Sequence, residues 1–520
     1  MSESTKSKYW LHRLAADCIE RYGSNEIIVS SGHSPSGNYT VGSLREIVTA
    51  SAIVWSIRRA GGKARHLDFS DDYDVLRKIP VDVDQAWQQY QGQPLYTVPD
   101  PWDCHPSYGA HYTAALDESL AIADIEVERI YAHDTYPAGI YTKAIEQALG
   151  NLALIRSVIS DVSKRTLPED WAPVQVLSDN GNLRDWKYSG WDKSRQVVTY
   201  TDKDGAAGQV SYTAGRVKLD WRLDWPARWA IWGVQVEPFG RDHAAKGGSY
   251  DTGKRLVREV FKAEEPFPVP YDFINPSGET KKMSKSAGGV VTAMDALTIM
   301  PPEILRFFML RSLPAHTLVF DEGLGLYNLI DEYSKVEQAV KAGIPTDFAD
   351  AYQVAAGQTG MQTISSVPFS HLVAVYQAAQ GRSEMVMDIL GRTGFEAQVK
   401  AEHDVIVREL AFVANWLTKY APDSVKFSVQ PVVPAVELSD AQGTFLTALA
   451  DAVAAAGQPL DGQGMHEAIY MAKEKAGLAP ADAFRTLYQV ILGKDSGPKA
   501  GWFLSTLNQA WLVSRLRLTI

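Results

Sequence analysis

The chain has 520 residues, 45% hydrophobic and 22% charged, and its 51 basic against 62 acidic side chains leave a formal charge of -11. That length exceeds what one core holds and argues for two or three domains; the acidic balance argues against sequence-independent coating of nucleic acid, while leaving room for a structured RNA held by a local basic face. Two distant cysteines, Cys18 and Cys104, exclude a disulfide framework and a cysteine-built zinc site, and with no leader core in MSESTKSKYWLHRL and no apolar run long enough to span a bilayer, the reading is cytoplasmic.

Glu26–Ser30 (EIIVS) reads as a short strand, followed by the loop SGHSPSGNY. A helix is predicted from near Thr40, with Leu44, Ile47, Val48, Ser51 and Val54 on one stripe and a stop at Gly61–Gly62. A second strand over Ala64–Phe69, followed by Asp71–Asp72, completes one βαβ unit. Its glycine-containing loop lies at the carboxyl end of the first strand, where ligands sit in open α/β sheets.

Residues 95–224 read as an insertion, with helices over Lys143–Ser163, a β-prone stretch over Asp185–Lys218 and a turn cluster at Asp202–Gly208. The core resumes with Gly233–Phe239, a helix after Ser249 or Thr252, strand-like Phe267–Ile274 and the loop Lys281–Gly289. Pro302 suits the first position of a helix carrying Ile304, Leu305, Phe308 and Met309. Beyond Gly343 a looser stretch, Asp347–Ser366, precedes amphipathic helices near Ser370–Ala379, Val399–Tyr420 and Ser439–Ala456. The expected division is therefore a first core half over 1–94, an insertion over 95–224, a second core half over 225–342 and a helical domain over 343–520.

Two loops carry chemistry. Ser31–Gly42 sets small residues at Ser31, Gly32, Ser34, Ser36 and Gly37 before a helix start, where unencumbered N–H groups can approach a phosphate; alone, the pattern is equally that of a plain turn. Lys282-Met283-Ser284-Lys285-Ser286 sets two lysines on a small-residue loop. They can hold the β- and γ-phosphates of a nucleotide and follow the charge as pyrophosphate leaves; alone, the same residues make a solvated basic turn. Asp71 and Asp72 either face a ligand at the end of their strand or cap a helix at Leu76.

Together the loops resemble the two signatures of class I aminoacyl-tRNA synthetases, the second being the full KMSKS sequence. The blocks SGHSPSGNYTVGSLREI, FSDDYDVLRKIP, GQPLYTVPDPWDCHPSY, LDWPARWAIWGVQVEPFGRDHAAKGGSYDTG, PPEILRFFMLR and LGKDSGPKAGWFL are similar to segments of class I lysyl-tRNA synthetases, from near residue 9 to near residue 517. The resemblance implies an α/β fold: a class I Rossmann-type catalytic core with an inserted α/β connective domain, then an all-α anticodon-binding domain. It implies ATP-dependent attachment of L-lysine to tRNA(Lys) through a lysyl-adenylate. Lys282 and Lys285 would hold the leaving phosphates, with Thr40 and Ser43 in the first signature. Gly42, Asp242, His243, Met283, Ser284 and Lys285 would surround ATP, and Gly32, Ser34, Trp221, Glu237, His243 and Tyr271 would surround lysine. Glu237 reads either as a counter-charge for a substrate ammonium or as a paired surface carboxylate. The implied partners are ATP with Mg2+, lysine and tRNA, with no protein metal site, no DNA or membrane partner, and a monomeric state.

Two departures from the family stand out. Where its first signature reads His-x-Gly-His or His-Ile-Gly-Asn, this chain has Thr40-Val41-Gly42-Ser43. A hydroxyl replaces the imidazole that donates to the α-phosphate, and losing such a donor costs ~10²–10³ in rate. His33, in the same loop, either compensates or has no role. The insertion also lacks the cysteines that many members use for structural zinc, since Leu177–Arg184 and Tyr200–Tyr212 contain none; no structural zinc is expected. The competing reading is a weakened or re-purposed paralogue that binds tRNA or activates another amino acid. The intact KMSKS, DDYD and GRDHAAKGGSYDTG segments favour the enzyme.

Overall fold

Apolar residues on both faces of the run IIVSS bury it almost completely, and this run becomes the central strand of a five-stranded parallel sheet. A computed structural model describes residues 8–164, 166–279, 291–357 and 364–520. After α1 (Trp10–Tyr22), the strand β1 (Glu26–His33) leads into α2 (Val41–Arg59) and β2 (Lys63–Ser70). The start of α2 is a capping box: Thr40 Oγ1 accepts from Ser43 N at 3.3 Å and Thr40 N donates to Ser43 Oγ at 3.2 Å. Such a cap contributes ~1 kcal/mol. The helix ends as Gly61 takes a left-handed φ of 92°, which only glycine adopts without strain.

Strands β1 and β2 pair in parallel from Glu26↔Lys63 to His33↔Ser70. The stretch 95–224, expected as an insertion throughout, first returns to this sheet through α3 (Tyr108–Ile122) and β3 (Glu128–Tyr131), which pairs with β2 in parallel. Four residues with an alternating charge, ERIY, leave too little apolar signal to read as a core strand.

The helices α4 (Ala132–Thr135), α5 (Thr142–Gly150) and α6 (Leu152–Ser163) follow. They share a core with the antiparallel pair β4 (Val174–Val176) and β8 (Val217–Leu219), and with the antiparallel sheet of β5 (Trp186–Asp192), β6 (Val197–Asp202) and β7 (Ala207–Ser211).

The main sheet is completed past α7 (Trp221–Trp232) by β9 (Val236–Gly240) and, after α8 (Arg241–Ala244) and α9 (Ser249–Glu259), by β10 (Phe267–Tyr271). The strand order is β10-β9-β1-β2-β3, all parallel. The run Phe267–Ile274, expected as one strand, breaks after Tyr271, and β11 (Ile274–Pro276) pairs instead with β12 (Leu318–Phe320). Buried Arg45 of α2 secures that break by donating to the carbonyls of Asp272, Phe273, Pro314 and His316. Between β11 and β12 lie α10 (Ala293–Ile299) and α11 (Pro302–Leu310), the latter beginning at Pro302 as predicted.

The chain divides into two compact units, one of Met1–Leu297, Leu305–Phe320 and Asp350–Gly357, the other of Thr298–Ile304, Asp321–Ala349 and Gln358–Ile520. The remaining helices are α12 (Leu324–Lys341), α13 (Ala349–Ala356), α14 (Phe369–Ala378), α15 (Ser383–Leu390), α16 (Glu396–Ala401) and α17 (His403–Lys419). They continue with α18 (Asp440–Ala455), α19 (Gly462–Ala476), α20 (Pro480–Leu492), α21 (Ala500–Ser505) and α22 (Gln509–Leu516). Helix α13 lies inside Asp347–Ser366, read above as loose; its buried Ala351, Tyr352, Val354 and Ala355 supply the apolar face that a short alanine-rich pattern hides. Among the described residues no helix is long and apolar enough to cross a membrane.

Candidate active site

The carboxyl ends of β1 and β9, the N-terminal half of α2 and one face of α7 enclose a cavity of about 170 Å³. Its lining includes Gly32, Ser34, Glu46, Trp221, Trp225, Arg228, Glu237 and His243. The sequence WRLDWPARW sets Trp221, Trp225 and Trp229 four residues apart, which on a helix places them on one face. Trp221 and Trp225 stack with centroids 5.9 Å apart, and the His243 ring lies 5.4 Å from the first and 5.5 Å from the second. The turn carrying His243 requires Gly248, where a Cβ would stand 2.6 Å from the Ala245 carbonyl oxygen and 2.8 Å from that of His243.

Two carboxyls face this aromatic wall. Glu237 is buried on β9, accepting from Trp225 Nε1 at 3.0 Å and from Trp229 Nε1. Glu46, on α2, accepts from Gly32 N at 2.9 Å and from the Tyr271 hydroxyl at 2.7 Å. Desolvation pushes each up to about 7 against the hydrogen bonds that favour the anion. A site that holds two acids near neutrality gains when a cation enters, because the incoming charge stabilises both anions.

Asp71, Asp74 and Arg228, also in the lining, belong to a buried charge network. Arg228 pairs with Asp71 at 2.9 Å and with Asp224, and Lys218 Nζ lies 3.2 Å from Asp71, 3.5 Å from Asp74 and 4.0 Å from Asp224. Burial works against the Lys218 charge, yet the three carboxylates outweigh it and keep the ammonium protonated; Lys218 and Arg228 in turn hold Asp71 ionised. The Tyr136 hydroxyl donates to Asp224 at 2.7 Å and accepts from Leu219 N at 3.0 Å.

The alternative of a helix at Leu76 capped by Asp71 or Asp72 is overturned. Residues 71–84 contain no helix; Asp71 lines the cavity and pairs with the cations, and Asp72 accepts from His133 N at 3.0 Å.

Of the residues expected around lysine, Gly32, Ser34, Trp221, Glu237 and His243 line this one cavity, and Tyr271 reaches it through Glu46. Glu237 is not a surface carboxylate, being only 5% exposed. Thr40, Gly42 and Ser43 sit at the start of α2, outside the lining, with the Thr40 and Ser43 hydroxyls engaged in the cap. Asp242 also stands outside, its Oδ1 3.9 Å from His243 Nε2. His33 is half-buried in the cavity lining, held by the Tyr39 hydroxyl at its Nδ1 and by the Arg129 guanidinium at its Nε2, with Asp68 3.4 Å from Nε2. Lys282, Met283, Ser284 and Lys285 lie outside the described residues. The described chain resumes at Val291, whose carbonyl accepts from Val41 N at 3.3 Å, while Ala293 N donates to the Tyr39 oxygen at 2.7 Å. Glu46, Arg228 and Trp225 escaped sequence reading. The usable signals were the four-residue tryptophan spacing and the i, i+4 placement of Glu46 after Gly42.

Outside that cavity a second constellation could hold a metal ion, a set that sequence reading did not single out. Asp100, Cys104, His105 and His111 bring one ligand atom each within 4.8 Å of one another. Cys104 Sγ lies 3.2 Å from Asp100 Oδ2, 3.1 Å from His105 Nδ1 and 3.3 Å from His111 Nδ1. Four such donors at about 2.0–2.3 Å from a tetrahedral zinc ion would be spaced similarly, so the set fits that ion. Counting cysteines missed it because a single sulfur here stands with two imidazoles and a carboxylate.

Residues 8–359 match the family model described as tRNA synthetases class I (K). The lysine–tRNA ligase 1 of Methanosarcina acetivorans is 38% identical, covering 98% of this chain and 98% of its own. The lysine–tRNA ligase of Archaeoglobus fulgidus is 36% identical, covering 98% of this chain and 100% of its own. A solved glutamate tRNA ligase from Elizabethkingia meningosepticum superposes with a TM-score of 0.42 at 12% identity, covering 95% of this chain and 98% of that one.

Proposed function

The chain belongs to the class I (K) family of tRNA synthetases, and from that premise we propose how its residues divide the work of attaching lysine to tRNA with ATP. The single observation that carries the assignment is the cavity at the carboxyl edge of the parallel sheet, where two carboxyls held near neutrality face stacked tryptophans. Lysine carries an ε-ammonium on an aliphatic stem and, at the other end, an α-ammonium beside its carboxylate. The Trp221–Trp225 wall and His243 pack the stem, Glu46 and Glu237 take the ammonium charge, and Gly32 and Ser34 admit the substrate closely at the end of β1.

ATP lies along the start of α2. Gly42 leaves room for it, Asp242 accepts from its ribose hydroxyls, and Lys282 and Lys285, with Met283 and Ser284, take the leaving phosphates. Thr40 donates one hydrogen bond toward the α-phosphate in place of the family's imidazole, with Ser43 beside it. Mg2+, bound with the nucleotide, would offset charge on the phosphates. The lysine carboxylate attacks the α-phosphorus in line and pyrophosphate leaves; a tRNA terminal hydroxyl then attacks the adenylate carbonyl and AMP leaves. The protein's part is orientation and charge stabilisation. The helices beyond residue 343 read the anticodon end, and the enzyme acts as a cytoplasmic monomer.

Lysine-dependent ATP–pyrophosphate exchange, run with and without tRNA, tests this. Exchange that requires lysine supports it. Exchange with a different amino acid keeps the family chemistry and overturns the substrate, and no exchange under either condition overturns the proposal.

A further inference from the structure

The helical unit holds a cavity of about 430 Å³ that no step above uses. The block LGKDSGPKAGWFL, which the catalytic residues leave unexplained, supplies one wall of it through Pro498, Lys499, Trp502 and Phe503. Trp502 is seated against the first residue of α19, where a Cβ on Gly462 would come within 2.3 Å of the indole. The ring is nevertheless 38% exposed, so it is held in place while keeping a face open. Opposite it, the His371 ring lies 5.0 Å from Phe395 at 34° and 5.7 Å from Trp502 at 75°. His371 is buried, its Nε2 3.4 Å from Thr393 Oγ1. Burial lowers it to about 4, so the ring is a neutral polar group with Nε2 already engaged by Thr393.

The mouth carries one exposed cation, Lys499. Lys426, between the lining residues Val425 and Phe427, lies 4.0 Å from Asp423, and its carbonyl accepts from Lys494 Nζ. Flat aromatic faces, a neutral polar edge and a lysine at the mouth are together the complement of a base with its phosphate. An aliphatic anchor would use neither the ring planes nor the cation. We propose that this cavity takes one unstacked nucleobase of the tRNA, its plane against Trp502 and Phe395, its edge toward His371 and its phosphate beside Lys499. The inference rests on the reading that this chain charges tRNA.

The test is steady-state lysylation of a tRNA(Lys) transcript by the full chain. Trp502→Ala is expected to raise KM for tRNA about 5- to 100-fold while kcat stays within about twofold, and Trp502→Phe is expected to restore most of the loss. Lys499→Glu, at an exposed position, should raise KM for tRNA and flatten its dependence on salt. In a series of transcripts with one abasic site each along the anticodon loop, one position should raise KM for the wild type and add nothing to Trp502→Ala. Should Trp502→Ala fail to fold, Lys499→Glu and the abasic series on the wild type decide. A wild type that lysylates tRNA, with KM unmoved by these changes, overturns the base pocket alone. A wild type that lysylates no tRNA overturns the reading beneath it.

Discussion

Replacing Glu46 with Gln tests the ammonium assignment at the residue that sequence reading missed. Gln keeps an oxygen for Gly32 N and can donate its amide to the Tyr271 oxygen, so both present contacts, at 2.9 Å and 2.7 Å, have replacements of the same shape. What is lost is charge. An ammonium about 4 Å from an ionised carboxylate gains ~4 kcal/mol at an effective dielectric of about 20. At pH 8 an acid pushed up to about 7 is already ionised, and desolvation offsets part of the gain, leaving ~1–3 kcal/mol. The expected outcome at pH 8 is a KM for lysine raised about 5- to 150-fold, with KM for ATP little changed. The assay is lysine-dependent exchange with tRNA present, both substrates varied. The unfolding midpoint should hold or rise, because a neutral amide replaces a desolvated carboxylate. An unchanged KM for lysine in a folded variant would refute the role of Glu46.

Four further outcomes follow from the same geometry. With Glu46 and Glu237 both at about 7, each is protonated below that pH and anionic above it; KM for lysine should fall as pH rises from about 6 to about 8, and a flat profile speaks against carboxylate recognition. Arg228→Leu leaves Asp71 and Asp224 with Lys218 as their remaining cation; chemical denaturation should show a loss of ~3–5 kcal/mol, partly recovered by adding Asp224→Asn. Thr40→Ala should cost ~1 kcal/mol of stability through the lost cap and also lower kcat for exchange, while Thr40→Ser keeps both; an unchanged kcat shows that its hydroxyl is not the donor to the α-phosphate. Elemental analysis of the purified protein should find about one zinc per chain, lost in Cys104→Ser and His111→Ala, and a metal-free protein that folds normally removes that site.

Much of the fold was legible because its signals are local. The apolar stripe Leu44, Ile47 and Val48, the stop at Gly61 and the proline at 302 each act within a turn or two of chain, and the observed helices follow them. What escaped depends on distant partners. Strand β3 is four residues long and is stabilised by β2 from another part of the chain, so its own sequence carries little strand signal. Glu46 reads as a helix-surface acid until Tyr271, 225 residues later, donates to it. Asp71 stays undecided between a site residue and a cap because Lys218 and Arg228 are absent from its neighbourhood in sequence. The Asp100, Cys104, His105 and His111 set is local, and was missed for a chemical reason, the expectation that a zinc site is counted in cysteines.

The central claim is that the cavity between β1, β9 and α7 selects lysine for adenylation. Lysine-dependent ATP–pyrophosphate exchange in the presence of tRNA, compared across the standard amino acids, measures it most directly. Exchange with lysine that Glu46→Gln weakens through KM is the predicted result. Equal exchange with an uncharged amino acid of similar length, or none with lysine, would contradict it.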